Sequence, residues 1–262
     1  MRDLSFPLMP LGADPAPEPD VQAVSAWIAG IRGSEADLIS YQTDTLTAAQ
    51  MPYAAVPTAG GAFYRPRILE AFGIHDDILT DAPDMKTGLI EADASRVKKT
   101  AKQFRFSLPA PCSLAIENRY YTDTDEYQET LAEAYAELCR TLRDIGSTGC
   151  VLRAETPSEI ELEKLHGRKY LWSADADAAE TVLEWTHDLV LAASSVSLLE
   201  DLADRFTIHH VYLADADAAS LKIALKTFEP DHIFVAGYAG EDADAGYWKQ
   251  LADLTVSVND LE

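Results

Sequence analysis

Cysteine is scarce in this chain of 262 residues: Cys112, Cys139 and Cys150 are the whole complement. Three thiols at unrelated spacings, with no Cys-x-x-Cys, do not build a disulfide framework and suit a reducing compartment. Lysine is scarce too, with 9 residues against 12 arginines, and this basic total of 21 faces 44 Asp and Glu for a formal charge of −23. Binding to nucleic acid or to an anionic membrane surface needs a basic footprint, so both partner classes are excluded. No apolar run reaches the roughly 18 residues of a membrane-spanning helix. The N-terminus sets Asp3 beside Arg2 with no long apolar stretch after them, so it does not read as a secretory signal, and a cytoplasmic location is the default. The sequence also lacks a Gly-x-Ser-x-Gly elbow, a Gly-x-x-x-x-Gly-Lys loop and a His-Glu-x-x-His helix.

What is present is acid and an ordinary apolar content. The hydrophobic share of 47% is enough to bury a core, and the length suits one domain over residues 1–262. Asp (25) outnumbers Glu (19), and the acids run along the whole chain. Asp175-Ala-Asp177, Asp215-Ala-Asp217 and Glu241-Asp-Ala-Asp244 fall where loops or helix starts are expected, which reads as solvated surface and helix caps. Their spacing does not match a calcium loop. A surface poor in Lys and rich in Asp suits a high-salt cytoplasm, where screening removes self-repulsion.

Apolar runs alternate with helical periodicity, the pattern of an α/β fold with parallel strands. The clearest helix spans Thr124 to Asp144, where Tyr127, Leu131, Ala134, Tyr135, Leu138 and Leu142 recur at steps of three and four. Asp123 caps its start, Glu126 stands at the capping-box position, and Gly146 suits its end. Cys139 lies on that stripe and Cys150 opens the next strand, so both are expected in the core. Strands are expected at Leu8–Leu11, Asp37–Thr43, Arg105–Leu108, Cys150–Ala154, Thr207–Tyr212, Ile233–Gly237 and Thr255–Val258, with Tyr170–Trp172 as a further candidate. A (β/α)₈ TIM-type barrel needs eight. The barrel is therefore either completed by a strand within residues 157–206 or short of its last strand–helix unit. An open doubly wound sheet is the competing architecture, and Leu11-Gly12-Ala13-Asp14 does not supply its phosphate turn.

The order of segments resembles the catalytic barrel of cobalamin-independent methionine synthase, within the superfamily that also holds uroporphyrinogen decarboxylase. Ser107-Leu-Pro-Ala-Pro111, the long helix ending Arg143-Asp-Ile-Gly146, Val151-Leu-Arg-Ala-Glu155-Thr-Pro157 and Ile208-His209-His210-Val211-Tyr212 carry the likeness. So do Glu229-Pro-Asp231 and Thr255 to Asp260, with Pro7 to Gly12 as a match for the family's first strand. The resemblance implies a zinc ion that activates a thiol for methyl transfer. It implies His209 as a metal ligand, but Val211 stands at the first Cys, the next strand has no Glu, and no second Cys follows. Ala154 replaces the Asp expected to hold the substrate amino group, and Ala13 the expected Ser. The family zinc site is thus largely lost, and zinc is expected only where a partner or other ligands complete it; no other cofactor is implied.

The candidate site residues each carry two readings. Neighbours on a strand face opposite sides, so only one of His209 and His210 can face a barrel interior. That one is a general acid or residual ligand near the barrel top, or else a hydrogen-bonded core histidine. Glu155 and Arg153 end the fourth strand, where barrel enzymes place their chemistry. Arg153 suits a substrate carboxylate and Glu155 an amine, or the two simply pair with each other. Gly60-Gly61 leads into Arg65 and Arg67, which either clamp an anionic tail or pack their stems on Tyr64. Asn118 and Arg119 are placed to line the same mouth. Cys112 follows Pro111 at a strand end; a structural role is the simpler reading. Trp172 and Trp185 read as packing residues.

These readings lead to a divergent methyltransferase-superfamily protein acting on a thiol or one-carbon substrate. The alternatives are a non-catalytic subunit or regulator of a related methyltransferase, and a metal-free decarboxylase-like enzyme holding propionates on arginines. An unpaired barrel edge calls for cover, so the expected partner is a second copy or a related chain. The acidic surface yields a direct prediction: the melting midpoint followed by circular dichroism rises between dilute buffer and molar KCl, where the Debye length falls to about 3 Å. An unchanged midpoint removes the high-salt reading.

Overall fold

A computed structural model describes residues 3–14, 19–31, 37–240 and 245–257. The Glu241 to Asp244 cluster, residues 15–18 and the chain after Ser257 lie outside the described residues.

Eight parallel strands follow one another in chain order: β1 (Leu8–Ala13), β2 (Thr58–Gly60), β3 (Arg105–Pro109), β4 (Cys150–Arg153), β5 (Tyr170–Ser173), β6 (Asp188–Ala192), β7 (His210–Ala214) and β8 (Ile233–Ala239). Strands β2 to β5 form one continuous ladder, from Gly60 opposite Ser107 through Ser107 opposite Val151 to Val151 opposite Leu171. Strands β6, β7, β8 and β1 form the other, with Tyr212 opposite both Val190 and Phe234, and Ala236 opposite Met9. The last strand is thus hydrogen-bonded to the first. A parallel bridge from Ala13 to Gly61 joins the halves on one side, backed by the Thr58 hydroxyl donating to Pro10 O at 2.6 Å. On the other side β5 and β6 pack together, and among the described residues they share no backbone ladder.

These connections correct the expected strand list. Asp37–Thr43 is helical, part of α2 (Leu38–Gln50), which follows α1 (Val21–Gly30). The buried face of α2 is Ser40, Thr43, Leu46, Thr47 and Gln50, so its helical period is written mostly in polar residues. Thr255–Ser257 is a strand outside the barrel, antiparallel to Asp3–Ser5. Its place and that of Asp37–Thr43 are taken by β2 and β6, and Tyr170–Trp172 falls in β5. The barrel is therefore not short of its last strand, and the edge from which a partner was inferred is the one paired with β1.

Helices fill the connections: α3 (Arg65–Ala71) and α4 (Gly88–Thr100) before β3, α5 (Thr124–Ile145) before β4, α6 (Glu159–Lys164), α7 (Ala179–Leu183), α8 (Leu199–Arg205) and α9 (Ala218–Ala224) before β5 to β8, and α10 (Ala245–Ala252) after β8. The expected α5 stripe is buried from Leu131 to Leu142, and the Asp123 carboxylate caps its first turn at Asp125 and Glu126. Cys139 and Cys150 are buried as expected, and Trp172 is buried with its indole N–H donating to Leu165 O at 2.8 Å. Met9, Leu11, Val151, Leu171, Val190, Tyr212, Ala214 and Ala236 fill the barrel, and two larger clusters pack the helices against its outside.

One of those outer layers encloses a charge cluster. Asp93 is fully buried; its Oδ1 accepts from Ser40 Oγ (2.7 Å) and pairs with Arg96, and its Oδ2 accepts from Tyr64 Oη (2.9 Å) and Arg67 Nε (3.1 Å). Arg67 is 3% exposed and donates to both oxygens of Asp37, at 2.8 and 2.7 Å. The cluster ties α2, α3 and α4 to the turn after β2. Removing one partner of a buried set leaves the others charged and unpaired. Asp93→Ala should therefore lower the urea unfolding free energy by about 3–5 kcal/mol. A loss under about 1 kcal/mol would instead be that of a solvent-screened pair.

Candidate functional site

Parallel strands put all eight C-terminal ends at one mouth, and residues just past those ends are aimed into it. A cavity of about 250 Å³ opens there, lined by Asp14, Ala62, Pro109, Ser113, Arg153, Ala154, Glu155 and Asp175. Arg153 ends β4 and is its centre. Its guanidinium pairs with the Asp14 carboxylate, which follows β1, and lies over the Tyr238 ring of β8 at 4.3 Å from the centroid. The Tyr238 hydroxyl in turn donates to Ser173 Oγ at the end of β5. Burial pushes the Tyr238 phenol up to about 12, so it remains a donor through the physiological range. Beside this set, Asp215 follows β7 with φ at 52°, a left-handed conformation unusual outside glycine, and its carboxylate accepts the Tyr247 hydroxyl at 2.6 Å.

The mouth can recognise a small polar molecule carrying an anionic and a cationic end. Arg153 supplies a planar donor fork and Glu155 and Asp175 supply exposed carboxylates on the same wall. The alternative in which Arg153 and Glu155 pair with each other is not what forms; Arg153 takes Asp14.

The other expected site residues fall elsewhere. His209 precedes β7 and His210 is its first residue, so both stand at the opposite, N-terminal rim. His210 does face inward there: its Nδ1 meets Asp188 Oδ1 at 2.8 Å and its ring stands 5.5 Å from Phe234. His209 instead packs on His187 at 4.7 Å between centroids, and its carbonyl meets His232 Nδ1 at 2.6 Å. The expectation of a general acid or ligand near the barrel top is thus corrected for both, because they open the apolar run Val211 to Ala214 instead of closing it.

Arg67 is committed to Asp93 and Asp37. Arg65 donates from Nε to Leu114 O at 2.8 Å and pairs with Asp77 at 2.9 Å. Asn118 closes a turn, accepting from the Tyr120 and Tyr121 amides at 3.1 and 2.9 Å. Arg119 pairs with Glu117 at 2.7 Å on the exposed surface. The glycine pair is not a loose clamp either: a Cβ on Gly61 would lie 2.0 Å from Ala13 O, and one on Gly60 2.5 Å from Ser107 O. A larger groove of about 440 Å³ runs past Arg67, Glu70, Lys86 and Ile90 on the helical layer, away from every strand end.

The zinc implied by the resemblance does not fit the donors present. Among the described residues no group of three or more His, Cys, Asp or Glu is arranged to hold a metal ion. Cys112, in the turn Pro111–Leu114 after β3, is exposed, with its sulfur 3.9 Å from Ser113 Oγ and 3.8 Å from the Thr156 carbonyl oxygen. Burial, and then the Glu161 carboxylate beside it, push its thiol up to about 12, the reverse of an activated nucleophile.

Asp14, Ser173, Asp215, Tyr238 and Tyr247 were not singled out from the sequence. The available signal was positional: Asp14, Asp175 and Asp215 each stand just past an apolar strand. The cap reading of the acidic pairs holds for Asp217, which accepts the Ser220 amide at 2.7 Å, but not for Asp215.

No family model and no curated protein matches the chain. Solved structures share its fold, among them two B12-independent methionine synthase structures. A candidate vitamin-B12-independent methionine synthase from Listeria monocytogenes superposes with a TM-score of 0.65 at 13% identity, covering 96% of each chain. A B12-independent methionine synthase from Shewanella sp. W3-18-1, in complex with selenomethionine, gives 0.66 at 10% identity over 95% of each. The likeness bears out the (β/α)₈-type architecture. No helix among the described residues is long and apolar enough to cross a membrane.

The Cys112 environment makes a checkable statement. Alkylation by iodoacetamide at pH 8, followed by mass spectrometry, should run about 100-fold or more slower than for an ordinary thiol. The rate should still be climbing at pH 10, and Glu161→Gln should raise it; a rate like that of free cysteine would contradict the raised pKa and the part Glu161 plays in it.

Proposed function

We propose that this chain is a divergent methionine-synthase-like protein of the methyltransferase superfamily. In this reading it holds an amino-acid-like substrate, such as a thiol or thioether amino acid, at the barrel mouth without the family zinc site. The observation that carries it is Arg153, set at the end of β4 against Asp14 and Tyr238. Support comes from the shared fold, and from the fact that the Shewanella neighbour was solved with selenomethionine, itself a zwitterionic amino acid.

The roles follow from the side chains present. Arg153 receives the substrate carboxylate through its donor fork. Glu155 and Asp175 accept from the substrate ammonium. Tyr238, held by Ser173, keeps the guanidinium in place during exchange of its anionic partner. None of these groups activates a sulfur nucleophile, and no step is derived through a metal.

A second reading is a non-catalytic subunit or regulator, which fits Cys112 just past β3, whose thiol burial and Glu161 push up to about 12 instead of activating it. The decarboxylase-like reading asked for several mouth arginines, and Arg65, Arg67 and Arg119 are engaged elsewhere.

Isothermal calorimetry separates the readings. L-Methionine or L-homocysteine should bind the wild type, and Arg153→Gln should weaken binding about tenfold or more, the loss expected for hydrogen bonds to a charged group. His209→Ala should leave the affinity unchanged. Absence of heat with either amino acid and with folate points to the subunit reading, and stoichiometric zinc in the purified protein would restore zinc-dependent methyl transfer.

A further inference from the structure

Arg67 and Arg153 are both paired with aspartate, but in different surroundings. Arg67 is sealed between Asp93 and Asp37 at 3% exposure. Arg153 and Asp14 are 38% and 31% exposed, on the wall of the mouth cavity. The Arg153 Nη1 that meets Asp14 is itself enclosed, but with both side chains partly exposed the pair is worth far less than a sealed one, so its partner can be exchanged.

Three features mark Asp14 as the exchangeable member. Arg153 has a second support, the Tyr238 ring at 4.3 Å, and that ring is anchored through its own hydroxyl to Ser173. The guanidinium therefore keeps its place when Asp14 leaves. The Asp14 backbone is pinned, its amide donating to Ala239 O at 2.7 Å, so rotation of the side chain alone releases the carboxylate. The carboxylate also presents the same group that an incoming ligand would offer to Arg153.

We infer that Asp14 is an internal competitor, a carboxylate of the protein occupying the anion seat that a ligand carboxylate takes by displacing it. This rests on the reading of the mouth as a small-molecule site. It sets specificity as well as affinity. Displacing Asp14 leaves its charge uncompensated on a rim that already carries Glu155 and Asp175. A ligand bearing only an anion gains Arg153 but meets three carboxylates. A ligand with an adjacent ammonium gains Arg153 and also neutralises the displaced Asp14. The seat therefore favours zwitterions over simple carboxylates.

Acetate is the probe for the seat, read by NMR on the ¹⁵N,¹³C-labelled full chain at constant ionic strength. The Arg153 Nε–H resonance is identified as the one lost in Arg153→Lys. In the wild type, acetate should move it, and the Asp14 carboxyl carbon should shift in step as that group is released. Asp14→Asn should lower the acetate dissociation constant about two- to fivefold, the size of a solvent-exposed ion pair. Asp14→Glu should stay near the wild type. Should Asp14→Asn fail to fold, the wild-type carboxyl shift answers the same question.

Equal or weaker acetate binding in Asp14→Asn, or an Asp14 carboxyl that stays still while Arg153 responds, overturns the competitor role and makes Asp14 a positioning residue. An Arg153 resonance unmoved in every protein removes the seat itself. A seat that responds to acetate while calorimetry shows no heat with L-methionine or L-homocysteine leaves the competitor standing and removes the amino-acid reading.

Discussion

The barrel turns on one close approach. Gly61 stands so near Ala13 that any side chain there would occupy the space of the Ala13 backbone, and Gly60 is pressed against Ser107 in the same way. Both glycines take positive φ, at 78° and 145°, which other residues adopt only at a cost. This contact is the bridge that joins β1 to β2. It also decides where Asp14, the next residue after Ala13, emerges, and so brings a carboxylate of the first strand to an arginine of the fourth.

Much of the architecture was legible because burial writes a period into the chain. The α5 stripe and its Asp123 cap could be read directly, and so could the apolar strands β1, β3, β4, β7 and β8. The failures have specific causes. Strand β2 is Thr58-Ala59-Gly60, three small residues with no apolar run to notice. Helix α2 turns Ser40 toward a buried ionic cluster and Gln50 toward the Thr58 backbone, so the hydrophobic period that would have announced it is absent. Arg67 looked like a free cation because its partners, Asp37 and Asp93, come from helices 30 and 26 residues away in the chain.

The site divides along the same line. Arg153 and Glu155 were readable, since a strand's end can be located and its last polar residues fall at the mouth. His209 and His210 were misplaced because chemical type was weighed above strand direction: they lead an apolar run, and the leading residues of a barrel strand belong to the opposite rim. Tyr238 and Asp14 were invisible for a different reason. Each matters only through what it touches, and those contacts join β1, β4, β5 and β8, segments far apart in the chain.

Where β5 and β6 lie together without a ladder, the wall is held by side chains and by the connections around it. Among the described residues the wall is thus built of two four-stranded ladders, joined by the glycine bridge and the Tyr238–Ser173 contact. Arg153 belongs to one ladder, and both Asp14 and Tyr238 to the other. Whatever enters the mouth and reaches Arg153 therefore meets a side chain that already spans from one ladder to the other.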